Sequence, residues 1–126
     1  MADLGQALSV SASGMHAQAR RLRHTAENIA NADTPGYRRK TIDFHPDQAG
    51  GVRPGRVRLD PAPLLKVRDP GHPLADSSGQ YDGSNVEMIT EIADAREAQR
   101  SYEANLRLFD QSRQMTQSLL ELLRRR

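Results

Sequence analysis

Both ends of this 126-residue chain carry long stripes of apolar residues spaced alternately four and three apart, while all seven prolines lie between them. Near the N-terminus the stripe is Leu8, Ala12, Met15, Ala19, Leu22, Ala26 and Ile29. Near the C-terminus it is Met88, Ile92, Ala95, Tyr102, Leu106, Phe109, Leu120 and Leu123, with Gln99, Arg113 and Thr116 as polar interruptions on the same grid. That spacing is the repeat of a coiled-coil seam. The expected fold is therefore mainly α: long N- and C-terminal helices pair as a coiled coil around a short irregular or β-hairpin middle. Segment boundaries follow at 1–31, 32–84 and 85–126.

The first helix is expected from about Asp3 to Asn31, with Asp3 as N-cap. One seam row is large (Leu8, Met15, Leu22, Ile29) and the other is alanine, which lets a partner helix approach closely. Pro35 disfavours helix at Thr34, and Pro35-Gly36 suits the centre of a type II turn, so the helix stops there. In the middle segment Thr41–Phe44, Arg56–Leu59 and Leu64–Val67 read as short strands. The stretch between Gly50 and Gly55 is expected to break them. Ser84 and Glu87 have the spacing of a capping box, from which a second helix runs without proline or glycine to Arg126. Leu108, Met115, Leu119 and Leu122 form a second apolar row near its end.

Hydrophobic residues make up 37% of the chain and aromatics 4%, which gives little material for a large central core. Two isolated striped helices would leave much apolar surface exposed, the usual mark of an interaction surface. Ordering some 70 helical residues is then hard to offset in a monomer. Folding coupled to assembly is the expectation.

The function classes narrow by exclusion. A net charge of only +2, despite a pI near 9.4, gives a weak field for steering toward nucleic acid. The clusters Arg20-Arg21-Arg23, Arg38-Arg39-Lys40 and Arg124-Arg125-Arg126 read as solvated faces or helix termini. With no cysteine there is neither a disulfide framework nor a thiolate metal site. His16, His24, His45 and His72 lack ligand spacing, Gly50–Gly55 has no lysine-serine ending, and no serine sits in Gly-x-Ser-x-Gly. No catalytic, metal or cofactor site is expected. No run is long enough to span a membrane, and the N-terminus has no cleavable signal pattern. A cytoplasmic helical adaptor or nucleic-acid-binding coiled coil is the alternative to an assembly subunit.

The run Ala30-Asn31-Ala32-Asp33-Thr34-Pro35-Gly36-Tyr37 resembles the Ala-Asn-x-x-Thr-Pro-Gly-Tyr signature of the bacterial flagellar rod and hook family. Ser11–Met15 and Asn28–Asn31 are similar to the rest of that family's first helix, and Asp69–Asp76, Ser84-Asn85-Val86 and Arg100–Asn105 are similar to its C-type proximal rod subunits, in the same order along the chain. Gly79–Asp82 departs from that pattern. The resemblance implies a structural subunit whose terminal helices stack with copies of itself and other rod subunits into a tube around a channel in the periplasm. It also implies export through the flagellar type III apparatus without a cleaved signal. In that setting Leu8, Met15, Leu22 and Ile29 are expected to pack against Ile92, Tyr102, Leu106 and Phe109 of the same or a neighbouring subunit. Thr34–Tyr37 is expected to set the exit angle of the chain, with Tyr102 and Asn105 as packing and hydrogen-bonding residues.

Overall fold

The computed structural model describes residues 2–125, so Arg126 of the terminal arginine cluster lies outside it. The elements are α1 (Ala2–Ala30), β1 (Lys40–Pro46), β2 (Val52–Leu59), β3 (Lys66–Arg68), β4 (Gln80–Asp82) and α2 (Met88–Arg124). At about 1.5 Å per residue the helices are roughly 44 and 56 Å long. They pair antiparallel: Asn28 meets Glu91, Arg21 reaches Asp94 and Glu97, and Gly14 sits against Asn105. Continuing that register, the last two turns of α2 extend past the start of α1.

Helix α1 takes Asp3 into its first turn, inside the helix rather than at its cap. It ends as its sequence dictates. Asn31 folds its side chain back onto the Glu27 carbonyl at 2.8 Å, and Thr34 Oγ1 donates to Asn31 Oδ1. The Tyr37 N–H then donates to Thr34 O at 3.2 Å with Gly36 at φ 74°. Proline at the second position and a left-handed glycine at the third define a type II turn.

The middle segment holds two hairpins. β1 and β2 pair antiparallel, Lys40 opposite Leu59 and Pro46 opposite Val52, with a bulge between Ile42 and Phe44. β2 runs through the stretch expected to break it. Gly50 and Gly51, at φ 88° and 83°, make the turn, and the bulge absorbs the irregularity near Pro54 and Gly55. The second hairpin pairs β3 with β4, a strand formed by the stretch that departs from the family pattern. The His72 ring stacks on Tyr81 beside it.

Ser84 does not cap α2. The cap position is Glu87, whose side chain bonds no backbone N–H of the first turn, and the buried Ser84 hydroxyl donates instead to the Ala32 carbonyl. A residue suited to starting one helix instead ties it to the end of the other.

The centre of the hairpin of helices is small and polar. Among the described residues the buried apolar side chains are Ala17 and Ala98, and the buried polar ones are Ser11, His24, Thr25, Asn28, Ser84 and Glu91. Ser11 and Thr25 survive burial because each hydroxyl donates to the carbonyl four residues back, at 2.8 and 2.9 Å.

Candidate assembly surfaces and the polar node beneath them

Where α1 ends and α2 begins, four segments converge on one buried amide. Asn28 is 1% exposed and its hydrogen-bonding capacity is filled. Its Nδ2 donates to Lys40 O at 3.0 Å and to Glu91 Oε2 at 3.1 Å. Its Oδ1 accepts from the Lys40 N–H and the Tyr37 hydroxyl, each at 2.8 Å. One side chain thus fixes the tail of α1, the exit turn, β1 and the head of α2.

Glu91, fully buried, takes its charge partner from the loop. Arg39 Nε donates to Glu91 Oε1 at 2.6 Å, while its other nitrogens reach Asp60 at 3.2 Å and Asp94 at 3.4 Å. Burial alone would lower the Arg39 pKa, yet its bonds to Glu91 and Asp60 hold the guanidinium above its ordinary value. Asp60 is held below the usual carboxylate range by the Ala62 N–H and by Arg39. Asn85 closes the loop: its Oδ1 accepts from the Arg39 N–H at 2.7 Å, and its Nδ2 donates to the Asp60 and Ala62 carbonyls. At the rim Lys40 donates to Glu27 at 2.8 Å, which lowers the Glu27 pKa and raises that of Lys40. Burial raises the Tyr37 pKa.

The family-signature residues surround this node. Ala30, Thr34, Pro35 and Gly36 are exposed, while Asn31 and Tyr37 are half-buried. Gly36 N–H donates to the Asp82 and Gly83 carbonyls, so the exit turn is strapped to the second hairpin.

The apolar stripes lie mostly outside. Leu8, Met15, Leu22 and Ile29 are half-buried along the edge of the α1–α2 contact, and Ala12, Ala19 and Ala26 are exposed. The alanine row is therefore left largely uncovered within the molecule. On α2 Ile92 and Leu106 are exposed, whereas Tyr102, Asn105 and Phe109 are half-buried. The row turned toward α1 begins at Glu91 and continues through Ala98 and Asn105, one residue around the helix from the apolar grid. A Cβ on Gly14 would lie 2.6 Å from Asn105 Oδ1, so glycine is what lets the helices close there. Ile89 is 86% exposed at one end of α2, and Leu119, Leu120, Leu122 and Leu123 are exposed at the other.

Asn28, Arg39, Asp60, Asn85 and Glu91 were not among the expected site residues. The signal was present as a polar stripe: Ser11, Gly14, Arg21, Thr25 and Asn28 keep the same alternate spacing as the apolar row. Among the described residues no group of three or more His, Asp or Glu side chains is placed to hold a metal ion, and no helix is long and apolar enough to cross a membrane.

Residues 8–38 match the family model described as Flagella basal body rod protein, and residues 77–122 match Flagellar basal body rod FlgEFG protein C-terminal. The chain is 41% identical to the flagellar basal-body rod protein FlgC of Agrobacterium fabrum, over 98% of both chains. It is 35% identical to FlgC of Salmonella typhimurium and 36% identical to FlgC of Yersinia enterocolitica, each over 90% of this chain and 92% of the relative.

Proposed function

Since this chain belongs to the FlgC family of flagellar basal-body rod proteins, and is thus a structural subunit of the rod and not an enzyme, we propose that it assembles through the outer faces of its two helices. The observation that carries this reading is the inversion of the helical hairpin. Its inner face is small and polar, while Ile89, Ile92, Leu106, Leu108 and the leucines from 119 to 123 are exposed. Each such side chain gives about 1.5–3 kcal/mol on full burial, and that gain is available only from neighbours.

In this reading segments 1–31 and 85–126 form the shaft and segment 32–84 adapts to what surrounds it. Leu8, Met15, Leu22 and Ile29, with the exposed alanines beside them, receive Ile92, Leu106 and their half-buried neighbours Tyr102 and Phe109 from adjoining subunits. Those subunits are further copies of this chain and other rod proteins. The assembled helices stand in the periplasm, line the channel for exported subunits, transmit torque, and reach that place through the flagellar type III export apparatus. The rod role replaces the cytoplasmic adaptor as the account of the striped helices.

Leu22→Asp tests the seam. A charge on the outer edge of α1 is expected to abolish swimming and rod incorporation while the protein is still exported. Normal motility in that variant would overturn the seam assignment.

A further inference from the structure

Between α1, β1 and the head of α2 lies a cavity of about 280 Å³. His24 lines it, only 9% exposed, and among the described residues neither of its ring nitrogens has a hydrogen-bond partner. The nearest carboxylate oxygen, on Glu27, is 3.9 Å from Nδ1. A neutral imidazole tolerates that position at the cost of lost hydrogen bonds. A protonated one would carry a charge with nothing free to receive it.

The charged groups facing it are already committed or of the wrong sign. From α1 come Arg20, Arg21 and Arg23, which oppose a further cation, and Glu27, whose carboxylate is held by Lys40 at 2.8 Å. From β1 come Arg39 and Lys40 themselves. From α2 come Glu91, engaged by Arg39 and Asn28, and Asp94, engaged by Arg21 and Arg39. A proton on His24 can be neutralised only by drawing one of these carboxylates from its present partner. Glu27 is nearest, and its partner Lys40 opens β1.

We propose that His24 is an acid-sensitive latch: protonation there loosens the β1–β2 hairpin from α1. The hairpin is held along α1 by the Lys40 N–H on Asn28 Oδ1 at 2.8 Å, by the Lys40–Glu27 pair, and by the Val52 N–H on Ser13 Oγ at 3.2 Å. The middle segment, which under the proposed function adapts to what surrounds the shaft, is then docked at neutral pH and freed in mild acid.

The linkage has a definite sign. Burial pushes the His24 pKa below its ordinary value of 6.5, so the docked form holds the neutral ring. Above that value docking is at full strength. As pH falls through it the released form takes up a proton first, and docking weakens until the docked ring is itself protonated. Each unit of separation between the two pKa values is a tenfold change in the docking equilibrium.

The test is amide hydrogen exchange of Lys40 and Val52 in the full chain between pH 7.5 and 5, corrected for intrinsic exchange, alongside NMR titration of the His24 ring. The expected result is a His24 pKa below 6.5 and a tenfold loss of protection per unit of that depression. The loss should vanish in His24→Val and His24→Gln and persist in His72→Gln. A ring that titrates at its free value overturns the proposal, whether the junction is unformed or solvated. So does an equal loss of protection in both His24 variants.

Discussion

Where α1 stops and α2 begins, Asn28, Arg39 and Glu91 are locked by directional bonds; where α2 outruns α1, Leu119, Leu120, Leu122 and Leu123 lie open to solvent. The first end is completed by the chain itself, using groups that must find partners of fixed geometry. The second is left to the hydrophobic effect, which is non-directional and accepts any apolar neighbour. A subunit can thus hold a defined shape while leaving its apolar surface open. Its own fold is specified by polar contacts and close backbone approach, so the large side chains remain available to others.

The largest effect that can break this comparison belongs to the node. Arg39→Leu removes the cation from a carboxylate that is fully buried, and Asn28 alone cannot neutralise it. Losing one partner of a buried pair costs about 3–5 kcal/mol. Urea unfolding of the purified chain should register most of that. A loss below about 1 kcal/mol would mean that Glu91 finds water or another partner, and that the node does not hold the hairpin of helices together.

Gly14→Val comes next. Its Cβ would meet Asn105, whose amide is anchored to the Ser101 carbonyl at 2.9 Å, so either that bond breaks or the helices separate. Overpacking of this kind costs about 1–3 kcal/mol. If unfolding is unchanged, the close approach near the middle of the helices is dispensable and the node alone sets their spacing.

What could be read from the sequence follows the same division. The two helices were legible because their periodicity is unbroken by proline, and the exit turn because Pro35-Gly36 permits few conformations. Which face of each helix points inward was not legible. Apolar spacing marks a face that gains by being covered, and within the chain much of that face stays exposed, while nothing in the residue types of Ser11, Gly14, Thr25 and Asn28 marks them as the inner row. Ser84 misled because hydroxyls that suit a cap also suit any nearby carbonyl, and only tertiary structure brings Ala32 within reach. β4 was missed because its three residues gain strand geometry from pairing with β3 and not from their own pattern.

Acid should loosen the node more gently, through its rim. The carboxyl groups of Glu27 and Asp60 are both held below their ordinary values, the first by Lys40 and the second by the Ala62 N–H and Arg39. A depressed carboxylate contributes stability that is present above its unfolded pKa and lost as pH falls through the folded value. The decline therefore sets in as pH falls past the ordinary carboxylate values of 4.5 for Glu27 and 3.8 for Asp60, lower than the 6.5 from which the His24 effect sets in. Glu27→Gln should flatten part of the acid limb, seen as ellipticity at constant ionic strength. An unchanged limb would assign the acid response to other carboxylates.

The smallest effect on the isolated chain is expected at the open end, where it separates the two plans most sharply. Leu119 and Leu122 lie on the part of α2 that extends past α1 and are exposed in the subunit. The double substitution Leu119→Ser with Leu122→Ser removes no contact with α1, so unfolding should stay within about 0.5 kcal/mol of the parent, as for other surface changes. In the assembled rod the same leucines stand to contribute about 1.5–3 kcal/mol each. Incorporation should therefore fail in a variant that unfolds like the parent. If instead the unfolding midpoint drops as far as it does for Gly14→Val, these leucines are already covered within the single chain, and the contrast between a self-completed end and an open one disappears.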